Sequence, residues 1–439
     1  MKILTLAISV WSFLICFPEQ IAAAELEPKP ADPYFEKYNA VRAPKTPKLL
    51  LQKGDRLAIC GDSITEQRMY SRIVETYLTV ARPDLEITAR QYGWSGETAP
   101  GFLARMTNDC LRFNPTIATT CYGMNDHTYR PYEPEIGKRY RGAETAIVEA
   151  FKGIGARVVL GSPGAVGKVP SWTKSEKWTK EELNLNLLEL RNIDVEIAQM
   201  ENVAFADVFW PMFTEDFLAR QKYGADYAVP GKDGVHPGWA GQVVMAYAFL
   251  KALGVDGEIG RIQVDLSSKP NHATSSAGHE IVSEGDGEFE IKSMRYPFCA
   301  PEGDPAKDDS IRSGFTLVPF QQDLNRFILL VRNAPAANYS VSWGGETKNF
   351  SRAQLDQGIN LAEEFSANPF SEAFAKVDAA VAAKQAYETR QIKELFHGPE
   401  GHADKEETAN LTEKARAPLA DAIKRTVVPV THKIKIVAQ

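Results

Sequence analysis

Ser63 lies in a sequence context that could make it a nucleophile. The segment Gly-Asp-Ser-Ile-Thr at 61–65 follows the apolar run 57–60 and precedes a stretch with apolar residues at helical spacing. This order predicts a buried strand, a tight turn that carries the serine, and a helix. Backbone N–H groups at a helix start favour negative charge, so they would stabilise an oxyanion beside the hydroxyl. The competing interpretation is a structural turn in which Ser63 caps the helix.

Three further segments carry residue types that are used in acyl transfer. They read Gln-Tyr-Gly-Trp-Ser-Gly-Glu-Thr at 91–98, Tyr-Gly-Met-Asn-Asp at 122–126 and Asp-Gly-Val-His-Pro at 233–237. Each lies at a strand or loop end that leads into a helix, where open α/β sheets build their sites. Together they offer a glycine amide, an asparagine amide, and an imidazole with a carboxylate three residues before it. Each could also be a turn or a surface loop, but four segments in this order favour a hydrolytic site.

These segments resemble the four blocks of the SGNH hydrolases, also called the GDSL esterase/lipase family. The serine, glycine, asparagine and histidine of the family correspond to Ser63, Gly96, Asn125 and His236. The first block here reads Gly-Asp-Ser-Ile instead of Gly-Asp-Ser-Leu, and the resemblance covers roughly residues 50 to 255.

The resemblance implies a role for each of these residues. Ser63 would be the nucleophile, His236 its base, and Asp233 the carboxylate that orients the imidazole. The oxyanion would be held by the backbone N–H groups of Ser63 and Gly96 and by the Asn125 side chain. No cofactor and no metal would be required.

The chain also divides into regions of different pattern. Predicted strands at 57–60, 85–92, 116–122, 156–161 and 203–208 alternate with predicted helices at 65–81, 141–154, 180–200 and 239–253. This order predicts an α/β fold with a parallel sheet flanked by helices, and the family implies the flavodoxin-like three-layer arrangement.

A different pattern follows residue 260. Short runs at 262–266, 288–294, 316–319, 327–331 and 339–343 predict a small antiparallel β unit with the pattern of a sandwich. Helices are predicted at 371–396 and 406–426, and the apolar run 427–437 could be a strand that returns to the fold.

The expected regions of the whole chain are a signal peptide at 1–24, a linker or strap at 25–47, the hydrolase domain at 48–258, the β-rich unit at 259–350 and a mainly helical region at 351–439.

The N-terminus predicts export. Lys2, an apolar core at 3–17 and Ala-Ala-Ala at 22–24 have the order of a secretory signal peptide cleaved near Ala24. The apolar stretch is short for a membrane span, although an uncleaved anchor is the alternative. We therefore expect a periplasmic or extracellular protein.

The charge and the histidine positions argue against nucleic acid and metal ions as partners. The formal net charge is −7 and no basic run is present, which argues against nucleic acid as a partner. Of the histidines, only His127 and His236 lie in the catalytic half, so no histidine-built metal site is predicted. The sequence leaves open the oligomeric state and the disulfide state of four cysteines, which are Cys60, Cys110, Cys121 and Cys299.

The predicted function is an exported serine esterase that removes small acyl groups from a carbohydrate, with acetyl as the expected group. Trp94 lies inside the segment 91–98, and Trp172 and Trp178 lie in an insertion at 162–180 that follows a predicted strand. Indole rings in such loops either stack on sugar rings or pack under the loops. The substrate would be a small ester or an acylated polysaccharide. Two alternatives remain: a lipid- or thioester-directed hydrolase of the same family, and a non-catalytic exported glycan-binding protein on a hydrolase scaffold.

Overall fold

A five-stranded parallel sheet forms the centre of the first half of the chain. The computed structural model describes residues 25–46, 48–173, 177–267 and 269–439, so the predicted signal peptide at 1–24 lies outside the described residues. The strands are β1 (Arg56–Ile59), β2 (Thr88–Gln91), β3 (Ile117–Cys121), β4 (Arg157–Gly161) and β5 (Ala204–Ala206). Their order in the sheet is β2-β1-β3-β4-β5, and every neighbouring pair is parallel.

Helices cover both faces of this sheet. They are α1 (Ser63–Glu66), α2 (Tyr70–Ala81), α3 (Ala99–Asp109), α4 (Pro134–Gly153), α5 (Lys180–Glu201), α6 (Phe209–Tyr223) and α7 (Trp239–Ala252). Successive strand residues point to opposite faces, so Ala58 belongs to one hydrophobic core and Ile59 to the other. The predicted α/β fold with a parallel sheet flanked by helices is confirmed.

The helix predicted at 65–81 is wrong in one respect, because the structure divides it into α1 and α2. Arg68 lies between them with a left-handed φ of 57°. The first backbone N–H of α2, on Tyr70, donates to the side chain of Gln242 at 3.0 Å. A side chain from α7 therefore caps the second helix, which no local pattern could reveal. Helices α3 and α6 were not predicted.

The second half contains two further sheets. Its strands are β6 (Glu258–Asp265), β7 (His272–Ser275), β8 (His279–Glu284), β9 (Glu288–Ser293), β10 (Arg326–Arg332), β11 (Asn338–Trp343), β12 (Glu346–Ser351), β13 (Ile359–Asn360) and β14 (Val430–Ala438). One sheet has the order β13-β10-β6-β7 and the other β12-β11-β14-β9-β8. The expectation of a purely antiparallel unit is wrong for the first sheet, in which β6 and β10 are parallel.

The helices of the second half are α8 (Ile311–Gly314), α9 (Phe320–Leu324), α10 (Arg352–Gln357), α11 (Leu361–Glu364), α12 (Ser371–Arg390), α13 (Pro399–Ala403) and α14 (Lys405–Thr426). A π-helix, Gln391–Phe396, continues α12. The strand predicted at 316–319 is wrong, because these residues form the turn between α8 and α9. The predicted return of the terminal run is confirmed: β14 pairs with β9 and β11 in the middle of a sheet.

Short 3-10 helices complete the secondary structure, at Pro33–Phe35, Pro83–Leu85, Leu111–Phe113 and Ser171–Thr173. The first belongs to the segment 25–46, whose Phe35 and Tyr38 are buried against Phe213 of α6. Among the described residues, no helix combines the length and apolar character that crossing a bilayer requires.

Candidate active site

The structure brings together three side chains that are far apart in the sequence. Ser63 is the first residue of α1, whereas Asp233 and His236 lie in the loop that precedes α7. The Ser63 Oγ lies 2.8 Å from His236 Nε2, and His236 Nδ1 lies 2.7 Å from Asp233 Oδ2. Nδ1–H donates a hydrogen bond to the carboxylate, which leaves Nε2 as the acceptor for the serine hydroxyl. This is the arrangement in which an imidazole can remove a proton from an attacking hydroxyl.

Backbone contacts orient the carboxylate of Asp233. Its Oδ1 accepts hydrogen bonds from the backbone N–H groups of Val235, at 3.0 Å, and His236, at 2.9 Å. Partial burial alone would raise the pKa of Asp233, but these two N–H groups and the imidazole outweigh burial and lower it. The carboxylate therefore stays ionised and can stabilise a positively charged imidazole.

Two backbone N–H groups beside Ser63 are available to a ligand. The amides of Ser63 and Gly96 donate to no other protein group in the part of the chain that the structure describes. Gly96 has a left-handed φ of 75°, which a residue with a side chain rarely adopts. The Ser63 amide is also at the start of α1, where the helix favours negative charge.

Asn125 supplies a third donor at this position. Its Nδ2 donates to the backbone oxygen of Glu97 at 2.9 Å, and a longer contact of 3.5 Å joins it to Asp62. The first of these contacts ties Asn125 to the segment that carries Gly96. The contact with Asp62 is long and therefore weak, so the second amide hydrogen can turn to a ligand. These three donors lie where they can hold the oxyanion that would form if the Ser63 hydroxyl attacked a carbonyl carbon.

Two buried aspartates next to the site hold its backbone segments in place by accepting hydrogen bonds from backbone N–H groups. Asp62 caps α1 by accepting the Ile64 N–H at 2.9 Å, and burial raises its pKa to about 7. Asp126 accepts the N–H groups of Ala99 and Gly123, each at 3.1 Å, and thereby joins the start of α3 to the segment that carries Asn125. This connection through Asp126 was not predicted, although the position of Asp126 next to Asn125 indicated that it lies close to the site.

The three tryptophans occupy different surroundings. Trp172 is about half exposed, at 47%, and its ring centre lies 5.9 Å from that of His236. Trp94 packs instead against His397, with ring centres 4.9 Å apart. Trp178 is partly buried and packs on the hydrophobic core. Of the three, only Trp172 has a ring contact with the Ser63–His236–Asp233 chain.

The remaining candidate groups form no metal site. Within the described residues no group of three or more histidine, cysteine or acidic side chains could hold a metal ion. All four cysteines that the sequence leaves open are buried free thiols. His127 is also buried, and burial lowers its pKa to about 4, so it is neutral.

A protein-family model matches part of the chain. Residues 59–244 match the model of the GDSL-like lipase/acylhydrolase family, so the first half of the chain contains a domain of that family. This portion includes Ser63, Gly96, Asn125, Asp233 and His236. No curated protein sequence matches the chain.

Comparison with solved structures gives similarities at low sequence identity, and the first of them supports the fold. BT4096, a gut microbial diltiazem-metabolizing enzyme, is 22% identical with a TM-score of 0.69, over 89% of this chain and 100% of that chain. The acetylxylan esterase Axe2 of Geobacillus stearothermophilus is 21% identical over 47% of this chain and 96% of its own, with a TM-score of 0.39. LAE5, an alpha/beta hydrolase from the metagenome of Lake Arreo, is 21% identical over 47% and 98%, with a TM-score of 0.37. The first similarity covers most of the chain and therefore extends beyond the hydrolase domain.

Proposed function

We propose that the protein is an exported serine esterase that removes acetyl groups from a carbohydrate. The observation that carries the esterase part is the hydrogen-bonded chain Ser63–His236–Asp233 beside the unpaired N–H groups of Ser63 and Gly96. An activated hydroxyl next to convergent donors suits attack on an ester carbonyl.

The reaction would proceed in two halves. The Ser63 Oγ attacks the acyl carbon while its proton moves to His236 Nε2, and the carbonyl oxygen becomes an oxyanion held by Ser63, Gly96 and Asn125. Collapse of this intermediate breaks the bond to the alcohol, which takes the proton from His236. Water then attacks the acyl-enzyme with His236 again as base, which releases the acid and restores the serine hydroxyl.

The carbohydrate part of the proposal is supported by the position of Trp172. Its exposed indole lies beside His236, the group that would protonate the departing alcohol. The ring centre of Tyr129 lies 6.4 Å from that of Trp172, so a second aromatic ring lies near this part of the site. Aromatic faces give an amphipathic ligand such as a sugar ring a large contact area. The predicted signal peptide is consistent with a substrate outside the cell.

A substrate comparison tests this proposal. The purified protein would be assayed with p-nitrophenyl acetate, butyrate and octanoate, and with acetylated xylo-oligosaccharides, by measuring acid release. We expect hydrolysis of the acetyl esters and release of acetate from the oligosaccharide. Preference for octanoate would instead support a lipid-directed hydrolase. Oligosaccharide binding without acid release from any ester would support the non-catalytic alternative.

A further inference from the structure

The C-terminal region reaches the loop that carries the proposed oxyanion donor. We call residues 93–96 the Gly96 loop; it connects β2 to the segment before α3. The contacts come from the π-helix Gln391–Phe396 and from His397, which follows it. A π-helix is rare and frequently occurs at a functional site, because the extra residue redirects the side chains that follow.

Lys393 of this π-helix contacts the Gly96 loop through one carboxylate. Its Nζ lies 2.7 Å and 2.9 Å from the two carboxylate oxygens of Glu66, the last residue of α1. The same Glu66 carboxylate accepts hydrogen bonds from the hydroxyl of Ser95, at 2.7 Å, and from its backbone N–H. Glu66 therefore links Lys393 to the residue immediately before Gly96, on the helix that begins with Ser63.

The Trp94 side chain provides a second connection. Lys393 Nζ lies 5.4 Å from the centre of the Trp94 ring, and the His397 ring meets the same indole edge-on at 4.9 Å. His397 Nε2 is in turn 2.6 Å from the Asp109 carboxylate at the end of α3. Both residues that precede Gly96 are thus held by side chains from the C-terminal region.

The strand before the loop is also held by α12. The N–H of Gln91, the last residue of β2, donates to the Glu388 carboxylate at 3.2 Å. Lys384 Nζ donates to the backbone oxygen of Ala89 at 2.6 Å. Because β2 is an edge strand, these side chains occupy backbone groups that a neighbouring strand would otherwise pair.

We propose that Lys393 is a positioning residue for the proposed oxyanion site, acting through Glu66 and Ser95 on the backbone N–H of Gly96. This inference rests on the proposed esterase function. The Lys393–Glu66 pair is partly exposed, with 27% and 19% of the two side chains accessible, so its contribution to stability is small. Its contribution to the rate is larger, since an oxyanion donor works only within a fraction of an ångström of the productive geometry.

The first test compares Lys393→Met with a matched control. Lys376→Met removes a lysine from α12 whose ion pair among the described residues is with the exposed Glu372 alone. For Lys393→Met we expect kcat for p-nitrophenyl acetate to fall about tenfold, below the roughly 10²–10³-fold loss of a whole donor, with KM within about twofold of wild type. Lys393→Arg should restore most of kcat, and Lys376→Met should leave it unchanged. An unchanged kcat in Lys393→Met, or an equal loss in both variants, would refute the positioning role.

A double-mutant cycle separates positioning from a general structural effect. Asn125→Ala should cost less in kcat when Lys393 is already methionine, because both changes damage the same group of donors. Additive losses would mean that Lys393 acts elsewhere.

A measurement without substrate keeps this inference distinct from the proposed function. Amide hydrogen exchange of the peptide that contains residues 93–96 should accelerate in Lys393→Met and stay at the wild-type rate in Lys376→Met. If the wild-type protein hydrolyses no ester, the proposed function fails, yet faster exchange still supports the contact between Lys393 and the loop. Unchanged exchange overturns the inference whatever the activity.

Discussion

Ser63 combines two properties that a nucleophile at a helix start requires. Its hydroxyl lies 2.8 Å from His236 Nε2. Its backbone N–H donates to no protein group among the described residues, so it is available to a ligand. Asp62, and not Ser63, caps α1 with its side chain. The structural alternative considered for Ser63, that its hydroxyl caps the helix, therefore does not describe this turn.

Replacement of Ser63 tests the proposed chemistry most directly. Ser63→Ala should lower kcat/KM for p-nitrophenyl acetate at least about 10³-fold, because the acyl-enzyme can no longer form. His236→Ala should lose nearly as much. Both variants should keep the wild-type circular dichroism spectrum and Tm. Wild-type rates in Ser63→Ala would show that another group performs the hydrolysis.

Trp172 offers a test of the carbohydrate preference. Trp172→Ala should raise KM for acetylated xylo-oligosaccharides about two- to tenfold, since loss of one aromatic contact is worth roughly 0.5–1.5 kcal/mol. Hydrolysis of vinyl acetate, which has no ring to stack, should change less than twofold and serves as the control. Equal effects on both substrates would indicate damage to the triad geometry instead of a sugar-binding surface.

At the scale of elements, the close approach of α1 to the Gly96 loop sets the geometry of the site. Gly93 makes this approach possible, because an added Cβ would lie 2.2 Å from the backbone nitrogen of Glu66. Two backbone segments that come this close leave no room for any side chain.

A pair of glycine substitutions tests this packing. Gly93→Ala should lower Tm and abolish most esterase activity, because the loop must move away from α1. Gly142→Ala is the matched control: it lies in α4 and an added Cβ meets no atom within 4 Å, so the variant should be about 0.5–1 kcal/mol more stable. Thermal unfolding and kcat measured on both variants test whether the close contact between Gly93 and α1 is needed for stability and activity. A fully active Gly93→Ala variant would contradict the proposed importance of this contact.

At the scale of the whole molecule, β14 joins the end of the chain to the β-rich unit through a buried polar network. His432 of β14 accepts the indole N–H of Trp343 at Nδ1, at 3.1 Å, so its Nε2–H donates to Ser293, at 3.0 Å. Ser293 then donates to His279, and His279 donates to the backbone oxygen of Ile259. This series of hydrogen bonds can form only if the imidazoles of His432 and His279 are both neutral, because each ring must accept at one nitrogen and donate at the other. Burial, assisted by the neighbouring His279, lowers the pKa of His432 to about 3.

This network predicts a loss of stability in mild acid. An unfolded histidine titrates near pH 6.5, so below that pH the unfolded chain takes up a proton that folded His432 refuses. The contribution is complete above about pH 6.5 and declines as the pH falls towards 3. Between pH 7 and pH 5, the free energy of unfolding should fall by about 2 kcal/mol more in wild type than in His432→Asn.

Urea unfolding at the two pH values measures this difference. The raised pKa values of Asp62 and Asp126 act in the opposite direction, but they are common to both proteins and cancel. Identical pH dependence in His432→Asn and wild type would disprove the explanation.

Much of the hydrolase domain followed from local sequence pattern. The apolar runs at 57–60 and 116–122 predicted strands because a parallel sheet covered on both faces buries every side chain, and β3 is buried throughout. The members of the candidate site were also predictable by type, since each belongs to a short segment at the end of a strand or the start of a helix. Their roles in catalysis stay predictions until the variants are measured.

The remaining features depend on contacts between distant parts of the chain. The break between α1 and α2 depends on Gln242, which lies 172 residues after Tyr70, and the support of Glu66 by Lys393 spans 327 residues. Residue types show which reactive side chains are available, and local propensity and hydrophobic period predict most of the strands and helices. The folded structure was needed to show that Trp94 packs against the C-terminal region while Trp172 lies beside His236. The direction of a loop side chain depends on what the rest of the chain packs against it, and no local pattern encodes that.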